Sequence, residues 1–265
     1  MEIRIKKDSG IETIVKEFQE QEVESVKEIK ESNRFSSLIE RSKKYNWNNV
    51  LQMKSDIKEI LKPYEIAAFL ELMQGREEKI DSVVISHFFK TLIQKSYEAG
   101  NNDFVFNDVK SILSVASEIE GRKEDVLKIQ VRKVQNLFGA YSNHILVKGE
   151  YAKDGLGESA KNSRFVFEQV GEWCGPRAEN CYFEMKKVGA GVGSSSIKST
   201  FVVLEEYYPQ SYGFEYKNNH PRKCTYKTPK NKVLEKFLET IPKGNQLVFI
   251  TPEGKDIIIR DFDER

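Results

Sequence analysis

Apolar residues in the first 140 positions recur at steps of three and four between charged residues, which is the spacing of an amphipathic helix. Ile11, Ile14, Val15 and Phe18 show this pattern between glutamates and lysines. The N-terminal half is therefore predicted to be helical. The predicted helices cover 11–29, 36–45, 47–61, 63–73 and 80–97, followed by a glycine-interrupted pair over 106–119 and 123–138.

After Gly139 the pattern changes to alternation of apolar and polar residues, which is typical of β-strands with one buried face. Asn231 to Thr240 interrupts the alternation with helical spacing, and Pro252-Glu253-Gly254 indicates a tight turn between two strands. The short loop that contains Gly155 predicts another hairpin. The predicted strands cover 144–151, 164–173, 180–188, 200–208, 212–217, 246–251 and 256–262.

These patterns together predict an α+β fold with a helical N-terminal half, followed by a mostly antiparallel β-rich C-terminal half with one helix. We expect a helical domain over 1–100 and a β-rich domain over 101–265. The order of two helices and a hairpin near 104–172 also predicts a winged-helix unit. The pattern indicates no internal repeat of fixed period.

Composition narrows the class of protein. The 265 residues include 42 Lys and Arg against 41 Asp and Glu, so the net charge is +1. With 39% hydrophobic residues, the chain is too apolar for disorder and too balanced in charge for a polybasic tail. No apolar run approaches the roughly 20 residues of a membrane span, and the charged N-terminus lacks a secretory signal. We therefore expect a cytoplasmic protein whose three cysteines are reduced thiols.

The first chemical candidate is the predicted strand that contains Glu184 and Lys186. Residues two apart on a strand lie on the same face, so these two side chains should project together. A carboxylate can bind a divalent cation while a neighbouring ammonium orients water for phosphodiester hydrolysis. A second carboxylate must complete the metal site. Asp154 is the first candidate, and Glu168 and Glu172 are alternatives.

The segments Asp154-Gly155 and Phe183-Glu184-Met185-Lys186, followed by a loop of glycines and serines, resemble the PD-(D/E)xK nuclease superfamily, which includes many restriction endonucleases. The resemblance implies that Asp154 and Glu184 bind Mg²⁺ and that Lys186 assists the attacking water. Lys153 stands where the family often has proline. The alternative interpretation is an ordinary solvated strand face, since 31% of all residues are charged.

Three further groups of residues are candidates for nucleic-acid contact. In the second helix of the predicted winged-helix unit these are Lys128, Arg132 and Lys133, although an ordinary solvated face would look the same. The loop after the Glu-x-Lys strand offers the hydroxyls of Ser195 and Ser196 to phosphate. The strongest electrostatic signal is a stretch with seven basic residues against Glu235 alone, interleaved with tyrosines. Its basic residues are Lys217, Arg222, Lys223, Lys227, Lys230, Lys232 and Lys236.

The sequence therefore predicts a metal-dependent DNA endonuclease of restriction-enzyme type, with Mg²⁺ as cofactor and DNA as partner. Two alternatives remain open, namely a non-catalytic DNA-binding or regulatory protein, in which a homodimer is a further expectation, and a protein-interaction scaffold. Nucleophilic catalysis has little support, because no serine elbow or histidine pair is present. His87 is expected to be buried in an apolar helix.

Overall fold

The computed structural model describes residues 33–46, 48–49, 52–74, 82–110, 112, 114–209 and 220–262. The helix predicted over 11–29 and the strand predicted over 212–217 lie outside these ranges, as does Lys217 of the basic stretch. Among the described helices, none is long and apolar enough to cross a membrane.

Four of the predicted helices are present with similar bounds, and a fifth is reduced to one turn. Pro63 begins α3, where its missing N–H costs no hydrogen bond. The segment predicted as a helix over 47–61 contains only the short α2. The helices are α1 (Asn33–Ser42), α2 (Met53–Asp56), α3 (Pro63–Gln74), α4 (Ser82–Glu98) and α5 (Asn231–Thr240).

Within the described ranges, nine strands form a single sheet in which each strand pairs with the next one along the chain. The first eight strands are parallel, and only β9 is antiparallel to its neighbour β8. The strands are β1 (Asp103–Val109), β2 (Leu127–Val134), β3 (Ile145–Asp154), β4 (Arg164–Glu172), β5 (Tyr182–Val188), β6 (Thr200–Tyr207), β7 (Thr225–Thr228), β8 (Gln246–Ile250) and β9 (Asp256–Arg260).

The chain is therefore a β-solenoid, and the predicted antiparallel α+β fold is wrong. The hairpin inferred between β3 and β4 assumed that a short connection joins antiparallel strands. Instead, residues 155–163 complete one coil of the solenoid, so that β4 runs parallel to β3. The turns are made by residues with positive φ, such as Ser159 at 55° and Asn162 at 46°. The hairpin predicted at the C-terminal end is confirmed by β8 and β9.

The predicted winged-helix unit is also wrong, because β1 and β2 occupy the places of its two helices. Phe104 and Phe106 alternate with less buried neighbours along β1, and Ile129 and Val131 do the same along β2. This alternation is a strand pattern. Over such a short segment, the same order of apolar and charged residues also fits the spacing of a helix. This ambiguity explains why two helices were predicted here.

The coils of the solenoid repeat every 18 residues between β2 and β6, so the expectation of no fixed repeat is wrong as well. The register aligns Ile129, Val147, Phe165, Phe183 and Phe201 in one buried column. Each turn in this region also carries a glycine at the same place. These glycines are Gly139, Gly157, Gly175 and Gly193, with φ between 62° and 69°.

Helices cover the solenoid at two places. The N-terminal helices share a hydrophobic core with β1, against which α3 packs. Near the other end α5 packs on β6, β7 and β8, where Phe237 contacts Tyr207 and Tyr226. Such coverings are needed because the terminal coils of a solenoid would otherwise expose their apolar interior.

Candidate functional site

Glu184 and Lys186 project from the same, outward face of β5, as their spacing predicts. Each is engaged by neighbouring side chains. The Glu184 carboxylate accepts a hydrogen bond from the Tyr182 hydroxyl at 2.8 Å and lies 3.5 Å from the Arg164 guanidinium. The Lys186 ammonium donates to Glu168 at 2.9 Å, and this hydrogen bond raises the pKa of Lys186. Lys186 therefore carries a positive charge near neutral pH.

Asp154 lies away from this pair. Glu184 aligns with Val166 on β4, and Val166 aligns with Lys148 on β3. Asp154 is six positions further along β3 than Lys148 and two strands from Glu184. At about 3.3 Å per residue and about 4.8 Å per strand, the two α-carbons are roughly 20 Å apart. The structure does not bring these two carboxylates to one ion.

The alternative carboxylates also have other roles. Glu168 pairs with Lys186, and Glu172 aligns with Asp154 across β3 and β4. Within the part of the chain that the structure describes, no group of three or more His, Cys, Asp or Glu side chains has a geometry that could hold a metal ion. The residues implied by the nuclease resemblance therefore do not converge on one Mg²⁺ site.

The residues predicted to contact nucleic acid do not form one surface. Lys128, Arg132 and Lys133 lie on β2 rather than on a helix, and Arg132 donates to Asp108 at 2.7 Å. Ser196 is fully buried and donates to a backbone carbonyl at 2.5 Å, so its hydroxyl cannot reach a phosphate.

The basic stretch is also divided among different elements. Lys227 lies on β7 and pairs with Asp256 at 2.5 Å. Arg222 and Lys223 lie in the turn before β7, and Lys230 directly precedes α5. The charges that are adjacent in sequence thus lie on the sheet, at a turn and beside a helix, which spreads the local positive charge.

Lys186 also lines a shallow cavity of about 570 Å³ on the outer face of the sheet. The positive and negative charges of its lining side chains cancel. Lys186 forms an ion pair with Glu168, and Lys187 forms one with Glu206 at the border of the cavity. This surface offers neither sign of charge in excess. The remaining lining residues are Lys133, Glu150, Tyr151, Gln169 and Glu205.

A second cavity, of about 540 Å³, lies where successive coils turn out of the sheet, and we call it the corner pocket. It combines one large aromatic side chain with amide, carboxylate and hydroxyl groups. Asp154 and Ser195, two of the residues predicted to be functional, both line it. The pocket is lined by Asn136, Leu137, Asp154, Gly155, Glu158, Trp173, Pro176, Arg177, Ser194 and Ser195.

The 18-residue repeat explains how the corner pocket forms. Leu137, Gly155, Trp173 and Gly191 occupy equivalent places in four successive coils, so large residues alternate with glycine. A Cβ atom on Gly155 would lie 2.9 Å from Leu137, and one on Gly191 would lie 2.9 Å from Trp173. Each large side chain therefore lies over the glycine of the next coil. This alternation leaves room between Leu137 and Trp173.

Trp173 is the aromatic side chain among the residues that line the corner pocket. It is 38% exposed, whereas Cys174 and Gly175, which follow it directly, are buried. Its φ is 59°, which is a rare backbone conformation for a bulky residue. The equivalent residues Leu137, Gly155 and Gly191 also have positive φ, so this conformation belongs to the turn of the repeat.

Several polar groups of the corner pocket are already engaged by the protein. Asp154 accepts the Glu172 backbone N–H at one carboxylate oxygen, at 2.7 Å. The Asn136 amide oxygen is buried without a hydrogen-bond partner among the described residues. The guanidinium of Arg177 pairs with Glu158, which neutralises the cation of the pocket.

The environments of the three cysteines and of His87 indicate structural roles for these side chains. Cys174, Cys181 and Cys224 are free thiols and buried, and burial raises the pKa of Cys181 to about 11. They are therefore poor nucleophiles. His87 is half-buried on α4, and burial lowers its pKa.

Sequence reasoning missed most of the corner pocket, including Asn136, Glu158 and Arg177. The signal that could have found it is the 18-residue spacing of glycines, which places residues of different coils beside each other. No family model matches the sequence, and no curated protein or solved structure matches it significantly.

Proposed function

We propose that the protein is a non-catalytic binding protein, a helix-covered β-solenoid that holds a small ligand in the corner pocket. The observation that carries this proposal is the corner pocket itself, whose wall combines Leu137 and Trp173 with polar side chains from successive coils. A concave site with an apolar wall and a few convergent polar groups is the usual form of a small-molecule site.

The size of the corner pocket supports this function. Its volume of about 540 Å³ lies within the range of roughly 300 to 1,000 Å³ that ligand sites occupy. Asn136, Asp154, Trp173 and Ser194 come from four successive coils, so their relative positions are fixed by the strand ladder rather than by one mobile loop. A rigid scaffold of this kind lowers the entropic cost of binding.

The nuclease and DNA-binding functions stay predictions from the sequence. Two observations favour a binding function without phosphodiester chemistry. Asp154 and Glu184 lie on different coils roughly 20 Å apart, and Lys186 is held in an ion pair with Glu168. Charge-neutralised strand faces also give little of the phosphate attraction that dominates DNA affinity.

Fluorescence of Trp173 provides a direct test. The chain has two tryptophans, so Trp47→Phe leaves Trp173 as the single reporter. Glucose, N-acetylglucosamine, adenosine, glutamate and inorganic phosphate are the probes. We expect a saturable change in emission with at least one class of probe. If none of them changes the emission or gives heat in calorimetry, the proposed binding function is wrong.

A further inference from the structure

We infer that two copies of the chain associate through the outer edge of β9 and form an antiparallel β9–β9 pair about a two-fold axis at Ile258. This surface is separate from the corner pocket and independent of the ligand proposed there. Three properties of the sheet carry the inference, namely the exposed apolar residues of β9, the closure of the opposite sheet edge, and the order of the charges around β9.

β9 carries apolar side chains that the fold leaves exposed. Ile257, Ile258 and Ile259 are 49%, 56% and 41% exposed. Successive residues of a strand point to opposite faces of the sheet, so both faces of β9 are largely open. A single exposed isoleucine is ordinary, whereas three in a row on an edge strand favour pairing with another chain.

The outer side of β9 is one end of the sheet. Among the described residues, β9 pairs with β8 alone. Every second residue of an edge strand directs its N–H and C=O groups away from the neighbouring strand, where an added strand can bond them. Edge strands are commonly protected by lysine, proline or a bulge. A bulge between Ile258 and Arg260 gives β9 partial protection, but its exposed side chains are apolar.

The opposite end of the sheet is closed. α3 packs on β1, and the side-chain amide of Gln74 donates to the Asp108 carbonyl and accepts the Lys110 N–H, each at 2.7 Å. Gln74 thus occupies backbone groups that an added strand would need. Copies of the chain therefore cannot stack β9 on β1 into an open filament. The open edge of one copy fits the open edge of another, and this contact closes at a dimer.

The charges beside the isoleucines favour an antiparallel pair. Lys255 and Asp256 precede the isoleucines, and Arg260 and Asp261 follow them, so the order of charge is inverted across Ile258. A two-fold axis at Ile258 places Lys255 of one copy opposite Asp261 of the other, and both residues are exposed. A parallel pair in register would place like charges opposite each other, which destabilises a sheet.

The dimer contact adds the Lys255–Asp261 ion pair, because the inner charges are held within their own chain. Asp256 pairs with Lys227 at 2.5 Å, and Arg260 donates to the Ile241 carbonyl at 2.9 Å. Exposed ion pairs contribute little free energy, and β9 is only five residues long. The dimer therefore dissociates on dilution, and Ile258 is exposed in dilute solution.

Sedimentation equilibrium of the full chain tests this association. From micromolar to near-millimolar concentration, we expect the average mass to rise from that of a monomer towards that of a dimer. Ile258→Lys places two lysines opposite each other at the axis and should raise the dissociation constant at least about tenfold. Tyr64→Lys is the matched control, because Tyr64 is 46% exposed on α3, at the closed end of the sheet. It should associate as the parent protein does.

Two charge variants test the antiparallel register. Lys255→Glu and Asp261→Lys each place like charges opposite one another at both ends of the pair, so each alone should dimerise at least about threefold more weakly. An equimolar mixture of the two variants restores opposite charges at both ends, and it should recover the affinity of the parent protein. Local disturbance by either substitution would not be repaired by mixing.

A parent protein that stays monomeric over the whole concentration range would overturn the inference. Association that Ile258→Lys leaves unchanged, in a protein that circular dichroism shows to be folded, would place the contact on another surface and overturn it as well. Failure of the mixture to recover the affinity would overturn the antiparallel register. None of these results depends on whether the corner pocket binds a ligand.

Discussion

The rings of Phe183 and Phe201 are stacked, with centroids 5.0 Å apart and planes inclined by 8°, and both side chains are fully buried. Phe165 and Tyr226 continue the column on either side, at 4.9 Å and 5.2 Å. Neighbouring strands of a sheet are about 4.8 Å apart, so stacked rings match the spacing of the coils. The column therefore helps to hold β4, β5, β6 and β7 in register.

Removal of one ring from this column should strongly destabilise the protein. Phe183→Ala creates a cavity between two rings, and we expect the free energy of unfolding to fall by about 3 to 5 kcal/mol. Urea unfolding followed by circular dichroism measures the change. Ile258→Ala is the control, since Ile258 is 56% exposed and should cost less than about 0.5 kcal/mol. Equal effects of the two substitutions would contradict a structural role for the column.

The turn glycines should tolerate substitution according to the space around them. Gly175 has a φ of 62°, and an added Cβ atom would lie 2.7 Å from the Phe183 ring. Gly175→Ala therefore combines backbone strain of about 1 to 2 kcal/mol with overpacking of about 1 to 3 kcal/mol.

Gly244→Ala is the matched control for this prediction. Gly244 has a φ of 82°, but no atom lies within 4 Å of the added Cβ position. It should show the backbone cost alone, about 1 to 2 kcal/mol. Thermal or urea unfolding of both variants measures the difference. If Gly175→Ala is no more destabilising than Gly244→Ala, the close packing of the turn on the aromatic column is wrong.

The helical predictions succeeded where a long segment has one periodicity. The pattern of α4 extends over Ser82–Glu98, long enough to distinguish a period near 3.6 from a period of two. β1 and β2 are seven and eight residues long. Over so few positions, apolar residues can satisfy both periods. Only the pairing of β1 with β2, and of β2 with β3, decides between them.

The parallel sheet could have been predicted from residues that lie far apart in sequence. Local alternation shows that β3 and β4 are strands, but not which way they pair. The glycines that recur every 18 residues, such as Gly157 and Gly175, carry that information, because equivalent turns imply equivalent coils. The corner pocket depends on the same repeat. Asp154 and Ser195 were predicted as functional for other reasons, and only the coil geometry shows that both line one pocket.

The ion pair of Asp108 with Arg132 predicts a pH-dependent contribution to stability. Partial burial raises the pKa of Asp108, but the hydrogen bond and charge of Arg132 outweigh it, so the pKa is lowered overall. The folded protein then binds the proton less readily than the unfolded chain does. The contribution is present above the unfolded pKa of about 4 and is lost as the pH falls through the lower folded value.

Asp108→Asn measures this contribution. At neutral pH the substitution should cost about 1 kcal/mol, because Arg132 is nearly half exposed and its charge is partly screened. The difference from the parent protein should shrink below about pH 4. Asp103→Asn, at an exposed position on the same strand, serves as the control. A difference that stays constant from pH 7 to pH 3 would show that the Asp108 carboxylate is not involved.

The environment of Lys186 predicts the outcome of a nuclease assay. Its ammonium is held by Glu168, which raises the pKa of Lys186, so it cannot accept a proton from water near neutral pH. Asp154 is also too distant to share an ion with Glu184. We therefore expect no Mg²⁺-dependent cleavage of plasmid DNA by the parent protein or by Lys186→Ala. Cleavage by the parent protein that Lys186→Ala abolishes would instead support the endonuclease prediction, and would require a rearrangement that separates Lys186 from Glu168.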